Sequence, residues 1–378
     1  MRKAIKDREK EKPEIQISRK KQLLFTLVIF VAFLFMLEGA LRLLDLPPTL
    51  KQDTGLMYKT NNAMGFEHTP GWSGYHAGAM THINSFGFRG KEFSTTKPSG
   101  TVRILGIGDS FTLGMAVGDD DTYLAQLEEM LNRDGRARYE TINAGHQNMN
   151  TRQEYRYLKE RDLMSLSPDV VILGFTMHND ANLDRKKDQP GRNEGRVKGG
   201  RYGKTLEKEL SKASPVLRLT NSKSYESLSE SYRLARILRA GVDWIYQDTI
   251  TEISYRVILE QYEDGSRSWE TCRNSLLGIY DICQKSNVPL IVALFPIFNR
   301  RSDQTFNEYP PEALELHSKL KAVFAGKSGV AVVPIFDDLA ASGLTTSELR
   351  VPIDGHPNRL WHEITAKRLY SSLKDLGP

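Results

Sequence analysis

Five residues far apart in the chain have the types that acyl transfer through a tetrahedral intermediate requires. Ser110, at the tip of Gly108-Asp109-Ser110, supplies a hydroxyl. A bare hydroxyl is a weak nucleophile and needs a base. His356 is the candidate base, and Asp354, two residues before it, is the carboxylate that would orient its ring. The developing oxyanion needs preorganised donors. The backbone N–H groups of Ser110 and Gly145 and the side-chain amide of Asn179 are the candidates. Asp109, His146 and His178 border these positions, each readable as a substrate contact or as a residue that only hydrogen-bonds within its loop. Taken singly, each motif is weak, since Gly, Asp, Asn and Ser favour turns of any purpose.

The elements around them supply the position. Apolar runs at 102–107, 139–143, 169–175, 288–295 and 330–335 read as short buried strands. Helical spacing is predicted over 122–133, 151–166, 268–286, 311–325 and 358–376. Strands alternating with helices imply a parallel sheet covered on both faces. Four polar clusters, 108–110, 143–146, 177–180 and 354–358, fall at strand ends or just before the last helix, where such sheets gather their sites. Residues 181–266 interrupt the alternation as an insertion. Its part 184–204 reads as a mobile loop and 232–246 as a helix, with a lid and a passive embellishment as the two readings. Cys272 and Cys283 share one predicted helix, about 16 Å apart, too far for a disulfide. They read as core residues. His362 reads as structural, and His68, His76 and His82 lack a metal-ligand spacing, so no metal or cofactor is expected.

The N-terminal part is of a different kind. Residues 1–21 hold nine Lys/Arg against four Asp/Glu, which accounts for the whole net charge of +5. The rest of the chain is neutral, which argues against nucleic acid as a partner. The run 23–37 has no charge and continues to 44, near the ~20 residues of a membrane span. Glu38 and Arg42 stand four apart, able to pair on one helix face. The run is longer than a usual signal core, and no small-x-small cleavage site follows it. The predicted organisation is a cytoplasmic basic tail (1–22), a transmembrane signal anchor (23–44), a loop-rich connector (45–100) and a catalytic domain (101–378) carrying the insertion. Positive charge on the inner side places that domain outside the cytoplasm, periplasmic or at the cell surface.

Across 102–376 the chain resembles the SGNH (GDSL-like) hydrolases. Ser110 within GDS, Gly145, Asn179 within HND and His356 within DGHPN match the family's blocks in order. It looks like the membrane-anchored bacterial branch, in which an NSxGFRG-like segment, 84–90 here, precedes GDS. The resemblance implies a flavodoxin-like three-layer α/β/α sandwich with a five-stranded parallel sheet, and ester chemistry on acylated small molecules or glycans. There are two departures. Met177 stands where the family has Gly, and Asp354 lies two rather than three residues before the His, so Asp337 or Asp338 stays open as the acid. A serine esterase is the leading function, with an O-acyltransferase to a polysaccharide using the same site as its alternative. A metallophosphoesterase lacks an opening Asp-x-His pair. A non-catalytic glycan-binding subunit would have no use for the intact Ser, Gly, Asn and His set.

Overall fold

Seven consecutive buried residues, Val170–Thr176, mark the middle of a sheet. A strand with both faces apolar needs helices above and below it. The computed structural model describes residues 18–53, 57–61, 65–135, 137–182, 201–297, 303–308, 310–352 and 354–376. Two antiparallel hairpins come first: β1 (Tyr58–Asn61) with β2 (Gly65–His68), and β3 (Ser73–His76) with β4 (Ala79–His82). The five-stranded sheet follows as β5 (Thr101–Gly108), β6 (Arg138–Asn143), β7 (Val170–Thr176), β8 (Leu290–Phe295) and β9 (Val330–Pro334). All its neighbours are parallel, in the order β6-β5-β7-β8-β9. The order reverses at β5 and β7, the point at which doubly wound sheets bind ligands.

Helix α1 (Arg19–Leu43) precedes the hairpins. Helices α2 (Ser110–Leu113) and α3 (Tyr123–Arg133) follow β5, and α4 (Thr151–Glu160) follows β6. After β7 come α5 (Arg201–Ala213), α6 (Pro215–Thr220), α7 (Lys223–Ser231), α8 (Arg233–Ile245), α9 (Gln247–Leu259) and α10 (Arg267–Lys285). Helix α11 (Pro311–Val323) precedes β9, and α12 (Phe336–Ala341) and α13 (Arg359–Leu376) close the chain. Helix α3 packs with α13 and α4 with α10. Crossovers between parallel strands are right-handed as a rule, which assigns α3 and α4 to opposite faces of the sheet and implies three layers. Asn150 begins α4 with a capping box, its side chain accepting from the Gln153 N–H while Gln153 returns a bond to the Asn150 N–H.

By contact the chain forms two compact units. Residues 1–49 with 222–241 make one, and 50–221 with 242–378 make the other. The first contains α1, α7 and the start of α8. The second contains the hairpins, the sheet and its helices.

Several expectations shift. The connector 45–100, read as loop-rich, holds both hairpins. Short strands rich in Gly, His and Thr leave too few apolar residues for an alternation to show. The predicted helix 151–166 ends at Glu160, because Asp162 takes a left-handed φ of 46° and a separate turn, Leu163–Leu166, follows. Among the described residues the insertion holds five α-helices, where the helical spacing predicts one over 232–246. The expected mobile loop at 184–204 lies largely outside the described residues. Both cysteines are buried and unbridged, with Cys272 Sγ 3.7 Å from Thr151 Oγ1.

Candidate active site

The turn after β5 places Ser110 at the first position of α2, with Asp109 as its N-cap. Asp109 Oδ1 accepts the Phe111 N–H at 2.9 Å, so the cap fixes the start of the turn that bears the hydroxyl. On the far side, the loop before α13 delivers His356. Its Nε2 lies 3.0 Å from Ser110 Oγ, and its Nδ1 lies 2.5 Å from Asp354 Oδ1. The His356 main-chain N–H also donates to that oxygen, at 3.2 Å. Burial pushes the Asp354 carboxyl up, and the bonds from His356 outweigh it, so the group sits below its usual range. The two-residue spacing is thus bridged by Gly355, whose φ of +82° turns the chain between acid and imidazole. The other two candidate acids are elsewhere on α12. Asp338 faces Arg368 at 3.5 Å, and it is Asp354 that meets the ring.

The expected oxyanion donors are placed less simply. The Gly145 N–H donates to Asn143 Oδ1 at 3.0 Å. Asn179 Nδ2 donates to Asp109 Oδ2 at 2.8 Å and to the Met149 carbonyl at 2.6 Å. Both therefore support the turn in this structure. Gly145 is also a contact point, since a Cβ there would lie 2.3 Å from the Leu113 N and 2.7 Å from the Thr112 C.

Of the three candidate substrate contacts, Asp109 and His146 are 1% and 0% exposed and have their partners within the loops. Asp109 is held by Phe111, Asn179 and Thr176, whose hydroxyl donates at 3.0 Å. His146 stacks on His68 with centroids 3.8 Å apart, and its Nδ1 bonds the Ala144 carbonyl at 3.2 Å. Burial lowers its pKa to about 4 and keeps it neutral. His178 is half-buried, with its ring 5.5 Å from that of Phe111, which also edges His356 at 6.0 Å. His362 accepts the Tyr123 N–H at 3.3 Å and stacks on that ring, a structural role.

Chain for chain, these distances describe a hydroxyl, an imidazole and a carboxylate in series at the sheet's switch point. No family model matches the sequence, and neither does any curated protein. Solved structures with a similar layout include three named as ester hydrolases. The lipase Lip_vut3 from a goat rumen metagenome has a TM-score of 0.40 at 12% identity, covering 72% of this chain and 97% of that one. The psychrotrophic esterase EstA from Pseudoalteromonas sp. has 0.39 at 13%, covering 72% and 97%. The acetyl xylan esterase AlAXEase has 0.38 at 13%, covering 72% and 100%. A lipolytic protein of the G-D-S-L family from Desulfitobacterium hafniense DCB-2 is similar to the same degree, with 0.38 at 12%, covering 71% and 98%. At such scores the likeness itself decides nothing about chemistry; the chain's own geometry must.

Sequence reading missed the residues that hold α2 from behind. Arg89, 4% exposed, donates from Nη1 to the carbonyls of Leu113 (2.8 Å) and Gly114, from Nη2 to that of Val117, and from Nε to Asp119 Oδ1 at 2.9 Å. Asn143 Nδ2 donates to the Thr112 carbonyl at 2.9 Å. The orphan carbonyls at the end of the short helix are thus satisfied by side chains. An arginine amid Phe and Gly in Phe86-Gly87-Phe88-Arg89-Gly90 was the available signal, because a guanidinium in such surroundings needs several acceptors. Beneath the site, Asp180 accepts from Thr151 Oγ1 at 2.9 Å and from the Thr176 N–H. Burial, reinforced by the neighbouring Asp109, raises its pKa well above the ordinary value.

Proposed function

We propose that this protein is a membrane-anchored serine ester hydrolase whose catalytic residues are Ser110, His356 and Asp354. The observation that carries the proposal is the continuous chain Ser110 Oγ–His356 Nε2–His356 Nδ1–Asp354 Oδ1, at 3.0 and 2.5 Å. As Ser110 attacks an ester carbonyl, His356 Nε2 takes the hydroxyl proton, and Asp354 holds the imidazole and stabilises the charge it gains. The tetrahedral intermediate collapses when His356 returns the proton to the leaving alcohol. Water, activated by the same imidazole, then cleaves the acyl-enzyme and releases the acid. The Ser110 N–H is the first donor to the oxyanion. The Gly145 N–H and the Asn179 amide join it only by exchanging a bond with Asn143 or with Asp109 and Met149 as charge develops, a tightening often left to the reacting complex.

The location and substrate belong to the same reading. Helix α1 has 25 residues, about 37 Å long, enough for ~30 Å of hydrocarbon. The basic tail before it supports an inner N-terminus and an extracytoplasmic catalytic domain. The resemblance to the membrane-anchored branch supports an acylated glycan as substrate, with acetyl as the first group to try. The test is hydrolysis of acetylated glycans and small acetate esters by the full chain, with released acetate and acceptor both quantified. Acetate release that depends on Ser110 supports the reading. No ester cleavage on any acylated substrate contradicts it. Reporter fusions after Pro47 that are active only in the cytoplasm would contradict the topology.

A further inference from the structure

Glu38 is a carboxylate on the helix read as a membrane span, one turn inward from Arg42. Only 8% of it is exposed, while the apolar residues around it on α1 are open, Phe35 and Met36 by 68% and 67%. Its cover comes from within its own unit. Glu38 Oε1 accepts the Arg233 N–H at 3.1 Å and Arg42 Nε at 2.7 Å, and Oε2 accepts the Leu234 N–H at 3.0 Å. Arg233 and Leu234 are the first two residues of α8, so Glu38 caps that helix from another helix, satisfying N–H groups that have no intrahelical partner. The pairing is reciprocal. The Arg233 guanidinium donates to the Leu41 carbonyl at 3.1 Å and to Asp45 Oδ1 at 2.5 Å, and Arg42 Nη2 donates to the Ser231 carbonyl at 2.7 Å. The start of α8 is therefore tied to the outer end of α1.

From that anchor α8 runs with an uncovered apolar face. Ile237 and Leu238 are 40% and 56% exposed, and seven residues on Trp244 and Ile245 are 70% and 68% exposed. Two turns of helix return the same face, so these four form one stripe. Leu228 and Tyr232, just before the anchor, are also open. Large apolar side chains in a row on an exposed helix mark an interaction surface.

We propose that α8 is an interfacial helix that lies on the outer leaflet, its apolar face in the boundary between headgroups and acyl chains. The occupant is lipid because the helix begins where α1 leaves the bilayer. Arg42 marks the headgroup level, and the residues capped by Glu38 sit one turn, about 5 Å, inside it. A helix started at that depth with Leu238 and Trp244 outward has acyl chain as its nearest solvent. The inference rests on reading α1 as a span.

The experiment places an environment-sensitive nitrobenzoxadiazole fluorophore on Leu238→Cys in the full chain, reconstituted in phosphatidylcholine vesicles. The native Cys272 and Cys283 are fully buried and leave the introduced thiol as the accessible one. The expected result is blue-shifted emission, quenched more by lipid brominated near the headgroup than by lipid brominated near the chain end, and protected from aqueous iodide. Emission as in water, or blue-shifted emission that brominated lipid does not quench, overturns the proposal; the second outcome would mean a second copy or another protein covers the face. Ile245→Cys repeats the measurement should the first variant not fold. The same fluorophore on Phe33→Cys, in α1, separates the two readings. Phe33 quenched from deep positions with Leu238 unquenched overturns the interfacial helix alone, whereas neither quenched overturns the span as well.

Discussion

The Asn179 amide lies 2.8 Å from Asp109 Oδ2, so a residue expected to serve the oxyanion donates a hydrogen bond to the cap of the nucleophile's helix. Asp109 is buried, and burial raises its pKa against the bonds from Phe111, Asn179 and Thr176. Removing the amide leaves a buried carboxyl short of a donor, a cost of about 1–3 kcal/mol. Asn179→Ala should therefore lower both the thermal midpoint and kcat. Asn179→Asp should be worse, because it sets another carboxyl against Asp109 and Asp180. Calorimetry and kinetics on both variants check this. A full loss of kcat with an unchanged midpoint would assign Asn179 to the oxyanion alone.

Arg89→Lys keeps the charge and loses the fork that reaches the carbonyls of Leu113, Gly114 and Val117. The end of α2 then relaxes, and Ser110 moves relative to His356. Small misplacements of reacting groups cost about 100-fold. We expect kcat to fall by about that much with KM within a few-fold, and Tm to drop. Equal kcat with a raised KM would mean that Arg89 faces substrate instead.

Gly145→Ala puts a methyl 2.3 Å from the Leu113 N, where only backbone can yield. The end of α2 must shift, so the reaction of Ser110 with an activated phosphonate should slow by more than tenfold while the circular dichroism spectrum stays that of the parent. A parent-like rate would show that α2 has room to adjust.

Acid should unfold the protein earlier than its carboxylates alone would dictate. Burial lowers His76, His146 and His317 to about 4, His362 to about 3, and His68 well below its ordinary value of 6.5. The unfolded chain takes up these protons below 6.5 and the folded one does not. Their contribution is complete above pH 6.5 and is lost as pH falls toward 4. Asp109, Asp180 and Asp338 act with opposite sign, since their raised values favour the folded state at low pH. The five histidines outnumber the three acids, so Tm should fall between pH 6.5 and 4. His146→Gln should make that slope shallower. A Tm that is flat over this range contradicts the assignment.

Much of the layout was legible because its signals are local. Apolar runs such as 102–107 and 169–175 announce buried strands, and polar clusters at their ends announce a site. The link from His356 to Asp354 is also local, two residues across one glycine. What escaped depends on partners distant in sequence. Arg89 binds carbonyls 24 to 28 residues away, and Asn179 meets Asp109 across 70. Composition shows that Arg89 and Asp109 are polar and leaves open that both are buried. The Glu38 cap on α8 spans 195 positions. The sequence announces only the pairing of Glu38 with Arg42, which is present at 2.7 Å beside the cap.

The most direct test of the triad is the site of covalent modification. The full chain is treated with a fluorophosphonate, digested and mapped by mass spectrometry. A triad of Ser110, His356 and Asp354 predicts one adduct, on Ser110, with labelling slowed at least about a thousandfold in His356→Ala and more mildly in Asp354→Asn. An adduct on another residue, or a Ser110→Ala chain that still turns over ester at the parent rate, contradicts it.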